Sequence, residues 1–136
     1  MSSPNRIRLE IVTPERLLLS EDVDEVTVPG SEGYLGILPG HLPLLTTMGT
    51  GVLHFRNHGK VQHCAVSGGF AEVLGDRVIV IAETVELPAE IDVERARAAK
   101  ERAEKQLYSK DQFDVEGTMS AMLRASTRLH VAELGD

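Results

Sequence analysis

Aromatic residues and cysteine are scarce in this sequence, and each scarcity excludes a class of protein. Only 4% of the 136 residues are aromatic and none is tryptophan, so the core must be built from aliphatic side chains. The single cysteine, Cys64, excludes a disulfide framework within the chain and a metal site of the CxxC kind. No stretch approaches the roughly 20 consecutive apolar residues that a membrane-spanning helix requires.

The N-terminal segment also lacks the apolar core of a secretory signal peptide, so we expect a reducing, cytosol-like compartment in which Cys64 is a free thiol. Basic residues are few: 14 lysines and arginines face 21 aspartates and glutamates, which gives a net charge of −7. Such a chain is a poor candidate for binding nucleic acid or an anionic membrane, because contact with phosphate needs concentrated lysine and arginine. With 42% hydrophobic and 26% charged residues, we expect one folded domain, or a small domain with an appendage.

The common sequence motifs of catalytic sites are missing as well. The sequence contains no phosphate-binding loop, no GxGxxG, no GxSxG and no HExxH. Ser67-Gly68-Gly69 lies between predicted strands, and we interpret it as a turn. We interpret the acidic group of Asp22, Asp24 and Glu25 as a solvated surface. We therefore predict that the chain is not an enzyme and has neither a catalytic residue nor a metal site.

The composition changes near Pro88, and this change divides the chain into two parts. Ten of the twelve glycines precede residue 76, and valine and isoleucine occur there in short runs typical of strands. Alanine, glutamate and arginine with helical spacing dominate afterwards. We therefore predict an α+β fold, with strands over residues 1–88 and two helices over residues 89–136. The strand candidates are residues 6–12, 16–19, 23–28, 34–38, 43–47, 51–56, 61–67, 69–74 and 77–85.

Two of these candidates carry further expectations. Residues 77–82 are almost uninterruptedly apolar, as expected for a central strand that is covered on both faces. The turn Asn57–Lys60, with its glycine free to take a positive φ, predicts a β-hairpin that places His54 opposite His63. Cys64 then lies on the other face of the strand, which argues against a metal site that combines the thiol with the histidines. We interpret these residues as a half-exposed histidine pair and a buried thiol.

The helical part has recognisable start and stop signals. Asp92 is predicted to cap a first helix that continues to about Leu107. Asp114 is predicted to cap a second helix that ends near Leu134, with Gly135 as its stop. A short connection between the helices makes them antiparallel neighbours.

The apolar stripes of the two helices are narrow and rich in alanine. They consist of Ala96, Ala99, Ala103 and Leu107 on the first helix and Met119, Met122, Leu123, Ala125, Leu129 and Ala132 on the second. A buried alanine methyl group contributes about 0.8 kcal/mol, whereas a buried leucine contributes about 2 kcal/mol. We therefore expect a weakly held hairpin, which a ligand or a partner is able to shift between two states.

Three segments resemble signatures of the epsilon subunit of F-type (rotary) ATP synthases. Residues 33–45 (GYLGILPGHLPLL) and 66–73 (VSGGFAEV) are similar to two signatures of its first part, and residues 91–96 (IDVERA) are similar to its helical one. The three occur in order and at the spacing of the family, so the resemblance covers essentially the whole chain. It implies a flattened ten-stranded β-sandwich followed by an antiparallel two-helix hairpin.

The resemblance implies a non-catalytic subunit of the central stalk. In this family the sandwich binds the γ subunit, rests on the membrane ring of c subunits, and turns with them during proton-driven ATP synthesis. The residues implied in contact with the rotor ring and γ are Glu32, Tyr34, Pro39, Gly40, His41 and Pro43. Many members carry glutamate where this chain has Tyr34, and Glu32 is the candidate substitute for that charge. The alternative is that the proline-rich loop serves only folding.

The resemblance also implies regulation by the hairpin, which in this family folds onto the sandwich or extends along γ into the catalytic α/β hexamer and blocks ATP hydrolysis. Some bacterial members bind ATP in the folded hairpin, and the alternative function is therefore primarily an ATP-sensing one; no other cofactor is implied. The positions matching their binding residues are Glu86, Ile91, Asp92, Arg95, Arg102, Arg124 and Arg128.

The spacing of these arginines is compatible with a triphosphate site, because helix residues four or seven apart share a face and guanidinium groups form charge-assisted bonds with phosphate. The alternative interpretation is a solvated helix surface. By the same resemblance we expect a peripheral location at the cytoplasmic face of the inner (plasma) membrane, or at the thylakoid if the host is a plastid.

Overall fold

A computed structural model describes residues 5–109 and 114–135, and within them ten strands precede two helices. The strands are β1 (Ile7–Val12), β2 (Leu17–Val23), β3 (Glu25–Gly30), β4 (Gly33–Ile37), β5 (Leu44–Thr47), β6 (Gly51–Asn57), β7 (Lys60–Ser67), β8 (Phe70–Leu74), β9 (Arg77–Ile81) and β10 (Thr84–Glu86). A 3-10 turn over Pro88–Glu90 leads to helices α1 (Val93–Leu107) and α2 (Val115–Leu134). The predicted α+β fold, a ten-stranded sandwich followed by two helices, is confirmed.

The strands form two five-stranded sheets that pack face to face. Sheet A has the order β2-β1-β9-β8-β5, and sheet B has the order β10-β7-β6-β3-β4. Strand β1 pairs in parallel with β9, and the other named pairs are antiparallel. The core between the sheets is almost wholly aliphatic, and Phe55 is the one buried aromatic residue that it contains within the described part of the chain. Alternate residues such as Leu53 and Phe55 enter this core because successive side chains of a strand face opposite sides.

The prediction of one strand over residues 77–85 is wrong, because the chain changes sheets at Ala82 and Glu83. Strand β9 lies at the centre of sheet A, whereas β10 pairs with β7 at the edge of sheet B. The Ala82 N–H donates to the carbonyl oxygen of Val12 (2.9 Å) just where the chain leaves sheet A. The expectation that this run is covered on both faces is wrong too. Ile81 is 52% exposed, because each sheet of a two-layer sandwich has one covered face and the helices lie on the other sheet.

The turn at Ser67-Gly68-Gly69 is confirmed, and it carries the chain from sheet B back to sheet A. Gly69 has a φ of 101°, and a Cβ atom there would lie 1.9 Å from the carbonyl oxygen of Ile81. Two of the crossings between the sheets, at residues 67–69 and 82–83, are therefore in direct contact. Only glycine fits this position.

The hairpin between β6 and β7 has the predicted register. His54 lies opposite His63 with ring centroids 5.9 Å apart, and Gly59 has a φ of 81°. Cys64 is buried in the core on the opposite face, where burial, with a smaller contribution from Glu90, raises the pKa of its thiol to about 12. Among residues 5–109 and 114–135, no group of three or more histidine, cysteine or acidic side chains has a geometry that could hold a metal ion.

The acidic group at β2 and β3 is not simply solvated, which corrects the interpretation given above. Its carboxylates are partly buried and lie beside arginines of neighbouring strands. The ion pairs are Asp22 with Arg8 (3.4 Å), Asp24 with Arg6 (3.9 Å) and Glu25 with Arg56 (3.2 Å). These arginines are distant from the carboxylates in the sequence, and strand pairing brings the two groups together.

Both helices begin and end where their capping residues predict. The Asp92 carboxylate accepts from the Arg95 N–H (3.1 Å), and the Asp114 carboxylate accepts from the Gly117 N–H (3.1 Å). Gly135 follows the last turn of α2 with a φ of 68°. Most of the predicted connection over residues 109–114 lies outside the described residues. Neither described helix is long and apolar enough to span a membrane.

Helix α1 packs along α2, and α2 lies against β6 and β7 on the outer face of sheet B. Ala96, Ala103 and Ala125 are buried in these contacts, as their spacing predicts. Met119 and Leu123, however, are 52% and 51% exposed, so this part of the predicted stripe is wrong. The reason is that α2 turns other residues towards its two neighbours: Thr118, Thr127 and Val131 are buried instead.

Candidate functional site

A small apolar seam attaches the hairpin to the sandwich. Ala65 of β7, Ile91 before α1 and Val131 of α2 are its buried members, with Val52 and Ala132 at its margin. This seam is separate from the sandwich core, which contains eighteen buried residues. The hairpin is thus docked on sheet B through a contact far smaller than the one that holds the two sheets together.

A cleft of about 440 Å³ opens beside this seam, between the sandwich and the helices. The sandwich contributes Thr13, Glu15 and Arg16 from the β1–β2 turn and Glu83, Thr84, Val85 and Glu86 from the β10 region. The helical part contributes Asp92, Arg95, Ala96, Ala99, Arg102 and Arg128. The volume lies within the range of about 300 to 1,000 Å³ that is common for small-molecule sites. Since both parts line it, the cleft in this form exists only while the hairpin is docked.

Among the described residues, four arginines and four carboxylates line the cleft, so their formal charges balance. Arg16 pairs with Glu90 (2.7 Å), and Arg128 pairs with Glu86. Arg95 and Arg102 of α1 make no ion pair with any described residue. They are seven residues apart and share one helix face, so two guanidinium groups remain available to an anion.

Five of the seven predicted nucleotide-binding residues line this one cleft: Glu86, Asp92, Arg95, Arg102 and Arg128. Ile91 lies in the seam instead, where it is buried. Arg124 lines a much smaller adjoining pocket together with Thr127.

Sequence reasoning missed the β1–β2 turn, which supplies Glu15 and Arg16 to the cleft. This turn precedes the cleft residues of α1 by about eighty positions, and the resemblance gave no motif for it.

The electrostatics at the edge of the cleft centre on Glu90. Its carboxylate accepts from the Leu87 N–H (2.9 Å) and from Arg16 (2.7 Å). These hydrogen bonds, with the attraction of the Arg16 charge, lower the pKa of Glu90. Glu90 therefore stays charged at neutral pH and ties the β1–β2 turn to the segment that joins sandwich and hairpin.

A group of histidines lies at the edge of the docked hairpin, where the C-terminal part of α2 faces β6 and β7. Burial lowers the pKa of His63, and so do the nearby charges of His54 on β6 and His130 on α2. The Nδ1 atom of His63 is buried and has no hydrogen-bond partner within the described part of the chain. Protonation of His63 would place a charge at this edge of the docked hairpin.

The residues predicted to contact the rotor ring do not form a single patch. Glu32 and Tyr34 lie at the start of β4, and the loop from Pro39 to Pro43 follows its end. A five-residue strand separates the two places by about 13 Å. Tyr34 lies across its own sheet, and its hydroxyl accepts from the Val52 N–H (3.0 Å).

The loop itself has a defined backbone. The His41 N–H donates to the Leu38 carbonyl oxygen (3.1 Å), Gly40 has a φ of 84°, and His41 Nδ1 lies 2.8 Å from the Leu42 carbonyl oxygen. This turn leaves the side chains of Leu38 and Leu42 exposed to solvent.

The outer face of sheet A carries exposed apolar side chains beside charged ones such as Glu10 and Arg77. It presents five large side chains between 49% and 65% exposed: Leu17, Leu45, Phe70, Leu74 and Ile81. Phe70 and Ile81 are directly paired at one end of the neighbouring strands β8 and β9. A row of exposed apolar side chains on a sheet face is a common mark of a protein interface.

The chain matches known protein families and individual relatives along nearly its whole length. Residues 6–88 match the family model "ATP synthase, Delta/Epsilon chain, beta-sandwich domain", and residues 89–133 match "ATP synthase, Delta/Epsilon chain, long alpha-helix domain". The ATP synthase epsilon chain of Desulforamulus reducens is 49% identical over 127 residues, which cover 93% of this chain and 96% of that relative. The ATP synthase epsilon chain of Nitratidesulfovibrio vulgaris is 47% identical and covers 92% and 94% respectively.

Solved structures give the same result for the fold. A chain in the cryo-EM structure of the Euglena gracilis mitochondrial ATP synthase, OSCP/F1/c-ring in rotational state 1, has a TM-score of 0.72 and 26% identity. The match covers 96% of this chain and 79% of that one. A chain in the central stalk/c-ring structure of the Tetrahymena thermophila mitochondrial ATP synthase has a TM-score of 0.55 and 18% identity over 96% of each chain. This second likeness bears on the fold alone.

Proposed function

The chain belongs to the delta/epsilon family of ATP synthase chains, as an epsilon-type subunit of the central stalk, and we propose that it couples the c-ring and γ to the catalytic α/β hexamer without catalysing a reaction itself. The sandwich, residues 1–88, is the part that binds γ and the c-ring. The hairpin, residues 89–136, is the part that regulates ATP hydrolysis. The subunit is peripheral, held through the complex at the membrane face that carries the hexamer, which is the cytoplasmic face in a bacterium.

The outer face of sheet A is the surface that we assign to γ. The pair of Phe70 and Ile81 on this face is apolar and exposed, and burial of such side chains drives stable association. Phe70→Glu should therefore weaken capture of γ about 100-fold or more, because it places a charge in the interface. Val61→Glu, an exposed apolar position on sheet B, is the matched control. If both variants capture γ as the unchanged chain does, this assignment is wrong.

The loop from Leu38 to Pro43 is the second contact, with the rotor ring and the base of γ. Its hydrogen-bonded turn, two prolines and a glycine with positive φ fix the backbone while two leucines stay exposed. A pre-ordered loop loses little entropy on docking. Glu32 at the far end of β4 supports a separate contact. The test is Leu42→Asp in the assembled complex, which should lower proton-driven ATP synthesis while γ binding to sheet A persists.

The observation that carries the regulatory role is the small seam between hairpin and sandwich. Three buried residues attach the hairpin to the sandwich: Ala65, Ile91 and Val131. The free energy needed to release the hairpin is therefore far smaller than the free energy of unfolding of the sandwich. Deletion of residues 89–136 should leave assembly with γ intact and raise ATP hydrolysis by the complex. Unchanged hydrolysis in a complex that assembles normally would remove the inhibitory role.

ATP sensing is the second candidate function, and the cleft favours it. Its volume suits a small ligand, and Arg95 and Arg102 are free to bind phosphate groups. Asp92 and Glu86 each offer a carboxylate to the ribose or base, although Asp92 also caps α1 and Glu86 also binds Arg128. Because the sandwich and the helices both line the cleft, a bound nucleotide favours the docked hairpin. The preference is about 2.7 kcal/mol at a concentration 100 times the dissociation constant when the docked state alone binds the nucleotide, and it is smaller to the extent that contacts with α1 persist after undocking.

Thermal unfolding of the full chain with and without ATP tests this second function. Saturating ATP should raise the midpoint, and Arg95→Ala should abolish the rise. Arg97→Ala is the control, because Arg97 is exposed, pairs with Glu94 and does not line the cleft. An unmoved midpoint with ATP, in the presence and absence of magnesium, would refute ATP sensing. The same samples should not hydrolyse ATP.

A further inference from the structure

We propose that Arg16, in the turn between β1 and β2, binds the phosphate groups of the ligand in the cleft directly and so anchors that ligand to the sandwich. Arg95 and Arg102 anchor the same ligand to the hairpin. This inference rests on the proposed nucleotide binding and adds a residue from the opposite wall of the cleft. Together with Glu86 of β10, Arg16 is then a sandwich residue through which binding is transmitted to the docking equilibrium.

The backbone at Arg16 is held in place by Thr13. The Thr13 N–H donates to the Arg16 carbonyl oxygen (2.9 Å), and the Thr13 hydroxyl lies 3.3 Å from the Arg16 N–H, which donates to it. Thr13 is itself buried, at 7% exposure. The turn therefore presents Arg16 from a fixed base, which is the condition for a binding residue that loses little entropy when the ligand arrives.

The guanidinium group of Arg16 is held by one hydrogen bond, and its other N–H donors remain available to a ligand. Its Nη2 donates to Glu90 (2.7 Å), and Glu90 is fixed in turn by the Leu87 N–H. A guanidinium has five N–H donors, and this is the one side-chain hydrogen bond of Arg16 found within the described residues. The remaining donors are free for a phosphate group, to which the planar fork of arginine is well matched.

The sandwich wall of the cleft has a thermodynamic role that the hairpin wall lacks. A ligand shifts an equilibrium only as far as its affinities for the two states differ. Arg95 and Arg102 belong to α1 and move with the hairpin, so their contacts alone persist whether or not the hairpin is docked. A contact from the sandwich exists in the docked state alone. Arg16 is the one arginine that the sandwich contributes to the cleft.

The experiment measures two quantities for each variant of the full chain. The first is the dissociation constant for ATP, obtained by titration calorimetry. The second is the docked fraction without ligand, obtained from the distance between spin labels at Lys60→Cys and Ser120→Cys, both of which are exposed positions. The variants are Arg16→Gln and Arg16→Lys, with Arg97→Gln as the matched control and Arg95→Gln as the test of the site itself.

Arg16→Gln should weaken ATP binding about 10- to 100-fold, the loss expected for one charge-assisted contact. The ligand-free docked fraction should change much less than the affinity does, because the Arg16–Glu90 pair is half exposed and such pairs contribute little stability. Arg16→Lys should recover part of the affinity, because it restores the charge without the planar fork. Arg97→Gln should bind like the unchanged chain.

Three results would contradict the inference, and they are distinguishable from one another. If the unchanged chain binds no ATP, the proposed nucleotide site fails and Arg16 fails with it. If Arg95→Gln weakens binding and Arg16→Gln does not, the site stands and the role of Arg16 is refuted. If Arg16→Gln lowers the docked fraction by the same factor as the affinity, Arg16 acts by holding the segment around Glu90 that joins sandwich and hairpin, and not by contact with the ligand.

Discussion

Replacement of Val131 by alanine is the sharpest test of the two-part construction of this molecule. Val131 is fully buried (0% exposed) in the seam between α2 and sheet B. The substitution removes two methyl groups, each contributing about 0.8 kcal/mol, and leaves a small cavity, so docking should weaken by about 2 kcal/mol. This corresponds to a roughly 30-fold larger undocked population.

Hydrogen exchange measured amide by amide is the assay, because it reports opening of each element separately. In Val131→Ala, the amides of α2 that are protected by docking should exchange about 30-fold faster, whereas core amides such as Leu9 and Val80 should keep their protection. Leu123→Ala is the control: it removes more side chain from an exposed position of the same helix and should change exchange by less than about twofold. If the core amides of both sheets lose the same protection as α2, the hairpin and sandwich unfold as one unit and the argument fails.

Further predictions concern single groups. The pKa of His63 is lowered by burial and by the charges of His54 and His130. Docking of the hairpin should therefore be strongest above pH 6.5, which is the pKa of the free side chain. Docking should weaken as the pH falls below 6.5, because the undocked chain then binds more protons than the docked one. His63→Gln should flatten this dependence in spin-label distances measured between pH 5 and 8. Gly69→Ala should lower the free energy of unfolding by more than about 3 kcal/mol in urea titrations, since its Cβ would meet a backbone carbonyl oxygen at 1.9 Å. The Cys64 thiol, with a pKa of about 12 and in the core, should resist alkylation at pH 8 in the folded chain and react once urea unfolds it.

The features predicted well from the sequence are those that a few neighbouring residues determine. Asp92 and Asp114 cap the helices because each carboxylate satisfies a backbone N–H three residues away. The register of His54 and His63 follows from the length of one turn. Such contacts span short stretches of chain, so their residue types and spacing are sufficient to define them.

The features predicted badly depend on contacts between distant segments. The chain changes sheets at Ala82 without a break in the apolar sequence pattern. The reason is that β9 and β10, although they belong to different sheets, both turn apolar side chains into the core. The exposure of Met119 depends on which face α2 turns towards sheet B, and helical periodicity does not define that face. Arg16 reaches the cleft only because the β1–β2 turn folds next to the segment before α1. A single sequence carries no local signal for any of these three.

The two outer faces of the sandwich are used differently, and this has a consequence for the proposed regulation. The hairpin occupies the outer face of sheet B, whereas the exposed apolar row assigned to γ, which includes Phe70 and Ile81, lies on sheet A. If one face served both, release of the hairpin and binding of γ would compete, and regulation would loosen the rotor. With separate faces the free energies of the two events add independently, since no residue is shared between the seam and the row. Phe70→Glu should therefore abolish γ capture while leaving hydrogen exchange in α2 unchanged, and Val131→Ala should do the reverse.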